Sequence, residues 1–342
     1  MSSVAIFLHQ QHYTAGDALS GDVVVTVSHP LQAHHVTLFI DGREKVFWEE
    51  TEMEKDSEGR VKHVKVHRKD SHHFLKEKVI LSGAVTLQPG QNTFRFTHRL
   101  SSGLPASFLE KASVHAHPVK AKIDYELSAE VDAHHARDLK THVHLTVGQH
   151  TGGPISPVEH TNRKSFMFNQ GHLGMRVELD RDVYFPGDEV KMKLEVSNES
   201  VTGINVDLRR HMTLRAHHHR FSHSDNAQHL RLEGLAEATK DSRFAKFRIP
   251  TDFSRLSTKS DLLQATYDLK VECDVPMAVD LSIIIPLVIT VPQHLDLRAK
   301  EYSAPHDIEH EEIVRQGDTY HERTPLVLPD KTGDMCACCI LS

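Results

Sequence analysis

The sequence predicts an all-β protein built from two β-sandwiches in tandem. Three observations carry that expectation. Apolar and polar residues alternate along short runs, turn signals separate the runs, and one series of marks occurs twice along the chain.

The alternation comes first. Lys191-Met-Lys-Leu-Glu-Val196 sets Met192, Leu194 and Val196 on one face and Lys191, Lys193 and Glu195 on the other. Val61 to Val66, Val143 to Val147 and Thr266 to Cys273 follow the same period of two. One-sided burial of this kind marks antiparallel sheets with one wet face. Ala15-Gly16-Asp17, Asp41-Gly42, Pro89-Gly90 and Pro186-Gly187-Asp188 supply turns between the runs. No long helical period is present, and many short strands at near-regular spacing point to sandwiches.

The repeat comes next. Tyr13-Thr-Ala-Gly-Asp17 precedes a strand at Val23 to Val27, and Tyr184-Phe-Pro-Gly-Asp188 precedes one at Val190 to Val196. Phe94-Arg-Phe96, Leu104-Pro105-Ala-Ser-Phe108 and Ile123 to Ala129 follow in the first half. Phe244 to Phe247, Ile249-Pro250-Thr-Asp-Phe253 and Ala265 to Val271 answer them in the second. Two copies of one unit side by side is the simplest reading. The expected divisions are residues 1–150, a Gly/Pro/Ser-rich linker at 151–165, a second sandwich at 166–295 and a disordered, flexible tail at 296–342. The charged stretch Glu49 to Arg60 reads as a long hairpin loop, and Leu281 to Val291, interrupted by Pro286, as a core strand pair too short to span a membrane.

The 342 residues suffice for about two domains of about 150 residues each. A net charge of −7 gives no global attraction to nucleic acid, and no basic stretch is interleaved with aromatics. One body cysteine, Cys273, excludes a disulfide framework and suits a reducing, cytoplasmic setting. On the phase of Leu269 and Val271, it reads as a buried apolar residue. The segment Met1 to Gln11 has no signal-peptide pattern. No Gly-x-Ser-x-Gly, P-loop, His-Glu-x-x-His or dinucleotide fingerprint occurs, so the expectation is not an enzyme, with no catalytic residue and no cofactor.

Histidine is the compositional outlier at 29 residues. Near pH 6.5 about half of free imidazoles are charged, so the net charge would change sign there. His115-x-His117 and His142-x-His144 place imidazoles two apart, a spacing that can grip a metal on one strand face. Spread this evenly, the histidines read as surface composition, and no metal site is assigned.

These ordered marks resemble the arrestin-domain family, most closely the α-arrestins. The carriers are the two Tyr-x-x-Gly-Asp turns, Leu87-x-Pro-Gly90, Phe94-x-Phe96 and Leu104-Pro105-x-Ser107-Phe108 with the strand at Tyr125, across roughly residues 1 to 295. The resemblance implies two immunoglobulin-like sandwiches of the arrestin fold. It implies concave faces and sheet edges that bind membrane-protein cargo or receptor tails, and links to an endocytic coat or a ubiquitin ligase. The Pro-Pro-x-Tyr motif that recruits such ligases is absent from 296–342. A Vps26-like retromer subunit shares the fold and is the rival within the class; a soluble signalling scaffold is the rival outside it. Receptor-binding arrestins hold a buried charge cluster. Arg209-Arg210 and the acids from Glu309 to Glu312 offer such charges, but the cost of burying ions makes solvated surface groups the expectation.

The chain ends Cys339-Ile340-Leu341-Ser342, which fits a prenylation box with a farnesyl preference at Cys339. One lipid chain holds a protein only marginally, so a second signal is needed, and Cys336 and Cys338 suit palmitoylation. The expectation is a lipid-anchored protein on the cytoplasmic face of the plasma membrane or endosomes.

Overall fold

A computed structural model describes residues 2–55, 57–151, 157–165, 172–197, 201–235, 240–276 and 279–292. Among them every named element is a strand. The first half forms β1 (Ser3–Leu8), β2 (His12–Thr14), β3 (Ala18–Val27), β4 (Leu31–Lys55), β5 (Val61–Ser82), β6 (Val85–Leu87), β7 (Gly90–Arg99), β8 (Phe108–Val114), β9 (His117–Ala133) and β10 (Leu139–Gly148). The second half forms β11 (Val158–Ser165), β12 (His172–Leu179), β13 (Val183–Tyr184), β14 (Glu189–Ser197), β15 (Val201–Ala216), β16 (His219–Leu235), β17 (Lys240–Arg248), β18 (Thr258–Lys259), β19 (Leu263–Asp274) and β20 (Leu281–Ile289).

The first sandwich sets β1-β3-β7 against β2-β10-β9-β4-β5, with β6 added to β4 and β8 to β9. The second sets β11-β12-β14-β17 against β13-β20-β19-β15-β16, with β18 added to β19. The larger sheets follow one order twice, and in each the short first strand joins in parallel: β2 on β10, β13 on β20. The internal repeat is therefore a repeat of topology.

The paired turns show why the chain reverses at the same place. Thr14 to Asp17 and Phe185 to Asp188 are tight turns with a glycine third, at φ 98° for Gly16 and 91° for Gly187. A type II turn requires that conformation, and only glycine adopts it without steric cost. Each aspartate closes its turn by accepting from the backbone: Thr14 N–H at 2.7 Å on Asp17 and Phe185 N–H at 2.9 Å on Asp188.

The second set of marks pairs differently from the sequence expectation. Ser107 N–H donates to Val147 O at 2.7 Å, and Ser257 N–H donates to Ile289 O at 2.7 Å. Tyr125 Oη–H donates to Pro105 O at 2.5 Å, and Tyr267 Oη–H donates to Arg255 O at 2.7 Å. Leu104 to Phe108 thus answers to Ser254 to Thr258. Ile249, paired with it on sequence, matches Leu100 instead: each amide donates to the turn aspartate's carbonyl, on Asp188 and Asp17 respectively. The shared mark is the serine and not the proline: Ser107 Oγ accepts from Val147 N–H at 3.0 Å and Ser257 Oγ from Ile289 N–H at 2.9 Å.

Three further expectations are corrected. Glu49 lies within β4, and the hairpin runs in strand to Lys55 and from Val61, so a charged stretch is extended and paired. Leu281–Ile289 is one strand: Pro286 fits because β20's far neighbour, β13, pairs only at Val288 and Ile289. β11 lies within the stretch read as a linker and pairs with β12 along its length.

The two sandwiches share a buried seam. Met212, Leu214, Ala216, Leu263 and Ala265 of the second half join the apolar core of the first, and Ala106 joins the core of the second. β4 makes this possible by its length of 25 residues. Val36, Leu38 and Ile40 bury in the first sandwich, and the strand's far half carries Glu44, Val46 and Trp48 on its buried phase. Gly148 packs tightly against the second half: a Cβ there would lie 2.4 Å from Val291 Cγ2 and 3.1 Å from the Val291 backbone nitrogen. Gly148→Ala should therefore destabilise the protein by about 1–3 kcal/mol through overpacking, read as a lower midpoint in thermal or urea denaturation.

Candidate functional site

β8 is the strand on which the two halves meet. Phe108 bridges Arg255, and Leu109 N–H donates to Ser254 O at 2.7 Å, so the second half adds a backbone rung to β8. Between Leu109 and Lys111, the Glu110 side chain turns inward and is 1% exposed. Its carboxylate accepts from Arg210 Nη1 at 2.5 Å and from Arg255 Nη2 at 3.2 Å. Arg210 also forks onto Asp225, Nε at 3.0 Å and Nη2 at 3.2 Å. Burial opposes the charge on Arg210, yet Asp225 and Glu110 hold its guanidinium above the ordinary arginine range. The sequence expectation of a solvated Arg210 is overturned, because three acceptor contacts replace the water it gives up. Arg209, one residue earlier, points to the wetter face and pairs with Asp268 at 2.7 Å.

The signal was in the sequence. Ile204, Val206, Leu208, Met212 and Leu214 bury on one phase of β15, and Arg210 falls on that phase. A charge on the apolar phase of a strand demands a buried partner.

The opposite face of β8 belongs to a different surface. Register places Ser71, Lys45, Lys122 and Leu109 in one cross-strand row, and Lys69, Phe47, Lys120 and Lys111 in the next. These eight residues on β5, β4, β9 and β8 line a groove of ≈ 690 Å³. Five lysines thus share one sheet face. Lys122 is paired with Asp124 at 2.8 Å, and Lys120 Nζ lies 5.7 Å over the Phe47 ring. Lys45, Lys69 and Lys111 have no carboxylate partner among the described residues. Like charges on neighbouring sheet positions repel, so this face carries a cost that an anion would relieve. Phe47 and Leu109, the latter 36% exposed, put apolar surface between the ammonium groups.

One end of the same sheet is internally neutralised. Glu49 accepts from Lys65 Nζ at 2.8 Å and lies 3.1 Å from His117 Nδ1 and 3.2 Å from His67 Nε2. Lys65, then His117, hold its carboxyl down at about 2. His115 is in the β8–β9 turn at φ 49°, so His115 and His117 do not share a strand face as their spacing suggested. His142 and His144 do share one, with ring centroids 6.0 Å apart, and His144 pairs with Asp124 at 3.3 Å. His34 and His134, from separate sequence pairs, meet at 3.1 Å. Cys273 is buried as expected, and burial pushes its thiol up to about 12, which removes thiolate chemistry near neutral pH. Cys336, Cys338 and Cys339 lie outside the described residues. No helix among the described residues is long and apolar enough to cross a membrane.

The family model for the arrestin (or S-antigen) N-terminal domain matches residues 4–151, and that for the arrestin (or S-antigen) C-terminal domain matches 169–294. The chain belongs to the arrestin-domain family. This arrestin-domain protein is similar to arrestin domain-containing protein A of Dictyostelium discoideum, 30% identical over 297 residues, covering 84% of this chain and 51% of that protein. It is similar to human arrestin domain-containing protein 4, 24% identical over 193 residues, covering 54% of this chain and 45% of that protein. The chain spans about half the length of the curated relatives it matches.

Two predictions follow from the electrostatics. Glu110→Ala leaves Arg210 and Arg255 facing a buried gap and should cost about 3 kcal/mol, at the low end for a broken buried pair because Asp225 still compensates Arg210; calorimetry would read it as a lower and less cooperative transition. The Glu49 carboxyl is lower folded than unfolded. Its stabilising effect is therefore present above about pH 4.5, the ordinary glutamate range, and is lost as pH falls toward 2. Glu49→Gln should flatten the acid limb of the stability curve across that window and leave its shape near neutrality unchanged.

Proposed function

We propose that this protein is a non-enzymatic adaptor of membrane trafficking that receives acidic segments of membrane-protein tails in the lysine-lined groove. The observation that carries the reading is the set of five lysines on one sheet face around Phe47 and Leu109, three of them without a carboxylate partner among the described residues. A protein of net charge −7 that gathers cations at one place has a local field opposite to its global one. The groove suits an extended peptide: backbone spacing along a strand matches the spacing of lysines two apart, and the apolar pair between them favours a mixed acidic and aliphatic segment. Membrane-protein tails are the source consistent with arrestin-domain relatives.

The reading includes attachment to the cytoplasmic face of a membrane. Where Ser342 bears the free carboxylate, Cys339-Ile-Leu-Ser342 supplies the prenyl acceptor, with Cys336 and Cys338 as palmitoyl acceptors. A lipid at Cys339 would raise the local concentration of cargo tails, so a weak groove suffices. Recruitment of a coat or a ubiquitin ligase would use another surface.

The groove is tested by fluorescence anisotropy with an acidic–aliphatic peptide against its Asn/Gln counterpart. Lys45→Glu/Lys120→Glu should weaken the acidic peptide by on the order of tenfold or more, and binding should fall as salt rises. Equal binding of both peptides, or an unchanged affinity in the variant, defeats the reading. Metabolic labelling with a farnesyl analogue tests the anchor: label on the parent and none on Cys339→Ser is expected, and equal label on both rejects it.

A further inference from the structure

Glu44 is a buried carboxylate without a cationic partner of permanent charge among the described residues. It sits on the inward phase of β4 between Gly42 and Val46 and is 1% exposed. One oxygen, Oε2, is satisfied by neutral donors across the seam: Ser260 Oγ–H at 2.5 Å and Leu262 N–H at 3.2 Å. The other, Oε1, faces His72 Nδ1 at 3.3 Å. No lysine or arginine pairs with Glu44 among the described residues. Its charge is felt nearby, since burial and then Glu44 push the Tyr125 phenol up.

The same His72 nitrogen faces a second carboxylate from the other half of the molecule, Asp261 Oδ2, also at 3.3 Å. One ring nitrogen carries at most one proton, and two carboxylates compete for it. The three ligand atoms lie within 4.8 Å of one another. Zinc–nitrogen and zinc–oxygen bonds of about 2.0–2.2 Å at tetrahedral angles place neighbouring ligand atoms about 3.3–3.5 Å apart. Both distances from Nδ1 match. The set is one imidazole and two carboxylates, a borderline donor set with two negative charges for a dication. The Ser260 and Leu262 donors orient Glu44 from behind, as outer partners of metal ligands do. His72 is half-exposed and Asp261 largely exposed, so an ion has a way in from solvent.

We propose that Glu44 Oε1, His72 Nδ1 and Asp261 Oδ2 form a zinc-class divalent cation site, with water in the fourth position, that staples the two sandwiches together. Glu44 and His72 come from the β4–β5 hairpin, and Asp261 from the connection between β18 and β19. The ion ties that hairpin to the second half. The site is independent of the lysine groove, which lies on the opposite face of β4.

The test uses the full chain with Cys336, Cys338 and Cys339 replaced by serine, which removes competing thiolates. Zinc is titrated by calorimetry and cobalt by its visible absorption. One site saturating well before the scattered surface histidines is expected, with a tetrahedral cobalt spectrum. His72→Ala and Asp261→Asn change exposed groups and should keep the circular dichroism of the parent, yet weaken zinc by at least about tenfold, since even outer-shell losses reach that size. His73→Ala, next in sequence, should leave it unchanged. Zinc binding to the parent no tighter than to both His72→Ala and Asp261→Asn reduces the constellation to a hydrogen-bonded triad and overturns the proposal.

Discussion

The contact between Glu110 and Arg210 is the constraint on which the arrangement of the two sandwiches depends. Both groups are almost wholly out of water; Arg210 has Asp225 in its own sandwich, whereas the described residues of the first sandwich give Glu110 no cationic partner. The first half folded alone would leave the Glu110 charge on an apolar face. Docking brings Arg210 and Arg255 onto it. Apolar contact at the seam supplies attraction without direction. The charges supply direction, because they tolerate only the orientation in which their forks and oxygens meet.

The strands at the seam are two-faced, and that links the inside of the molecule to its outer surface. Glu110 on β8 reaches into the seam while Leu109 and Lys111 line the groove. Glu44 on β4 reaches toward Ser260 while Lys45 stands on the groove side. A pleated strand cannot move one face without the other. The strands that line the groove are therefore bound on their reverse side to the second sandwich.

The histidine richness acquires particular meaning in few places. Most ring contacts lie in exposed positions, as the even distribution along the sequence suggested. Folding sets several imidazoles against carboxylates from other strands, and in two places the carboxylate is itself buried: His117 and His67 meet on Glu49, and His72 meets Glu44 beside Asp261. Counting histidines in sequence pairs pointed to His115 with His117 and to His142 with His144. The pairs that matter span tens to hundreds of residues. Neighbours in sequence rarely converge on one point, because a strand sends adjacent side chains to opposite faces and a turn sends them apart.

The class of fold, its duplication and the positions of its paired turns were legible from the residues alone. Those features are local: a period of two, a glycine where the chain must adopt positive φ, an aspartate that closes the turn. The residues also held the register of burial, in which Glu44, Glu110 and Arg210 stand on the apolar phases of their strands. Tertiary structure alone decided which of these charges meet, that Leu104 to Phe108 corresponds to Ser254 to Thr258, and that five lysines from four strands form one surface. The reason is physical. Burial follows from alternation within a single strand, whereas partnership depends on strand order and register, which are fixed by backbone hydrogen bonds that carry no side-chain signature.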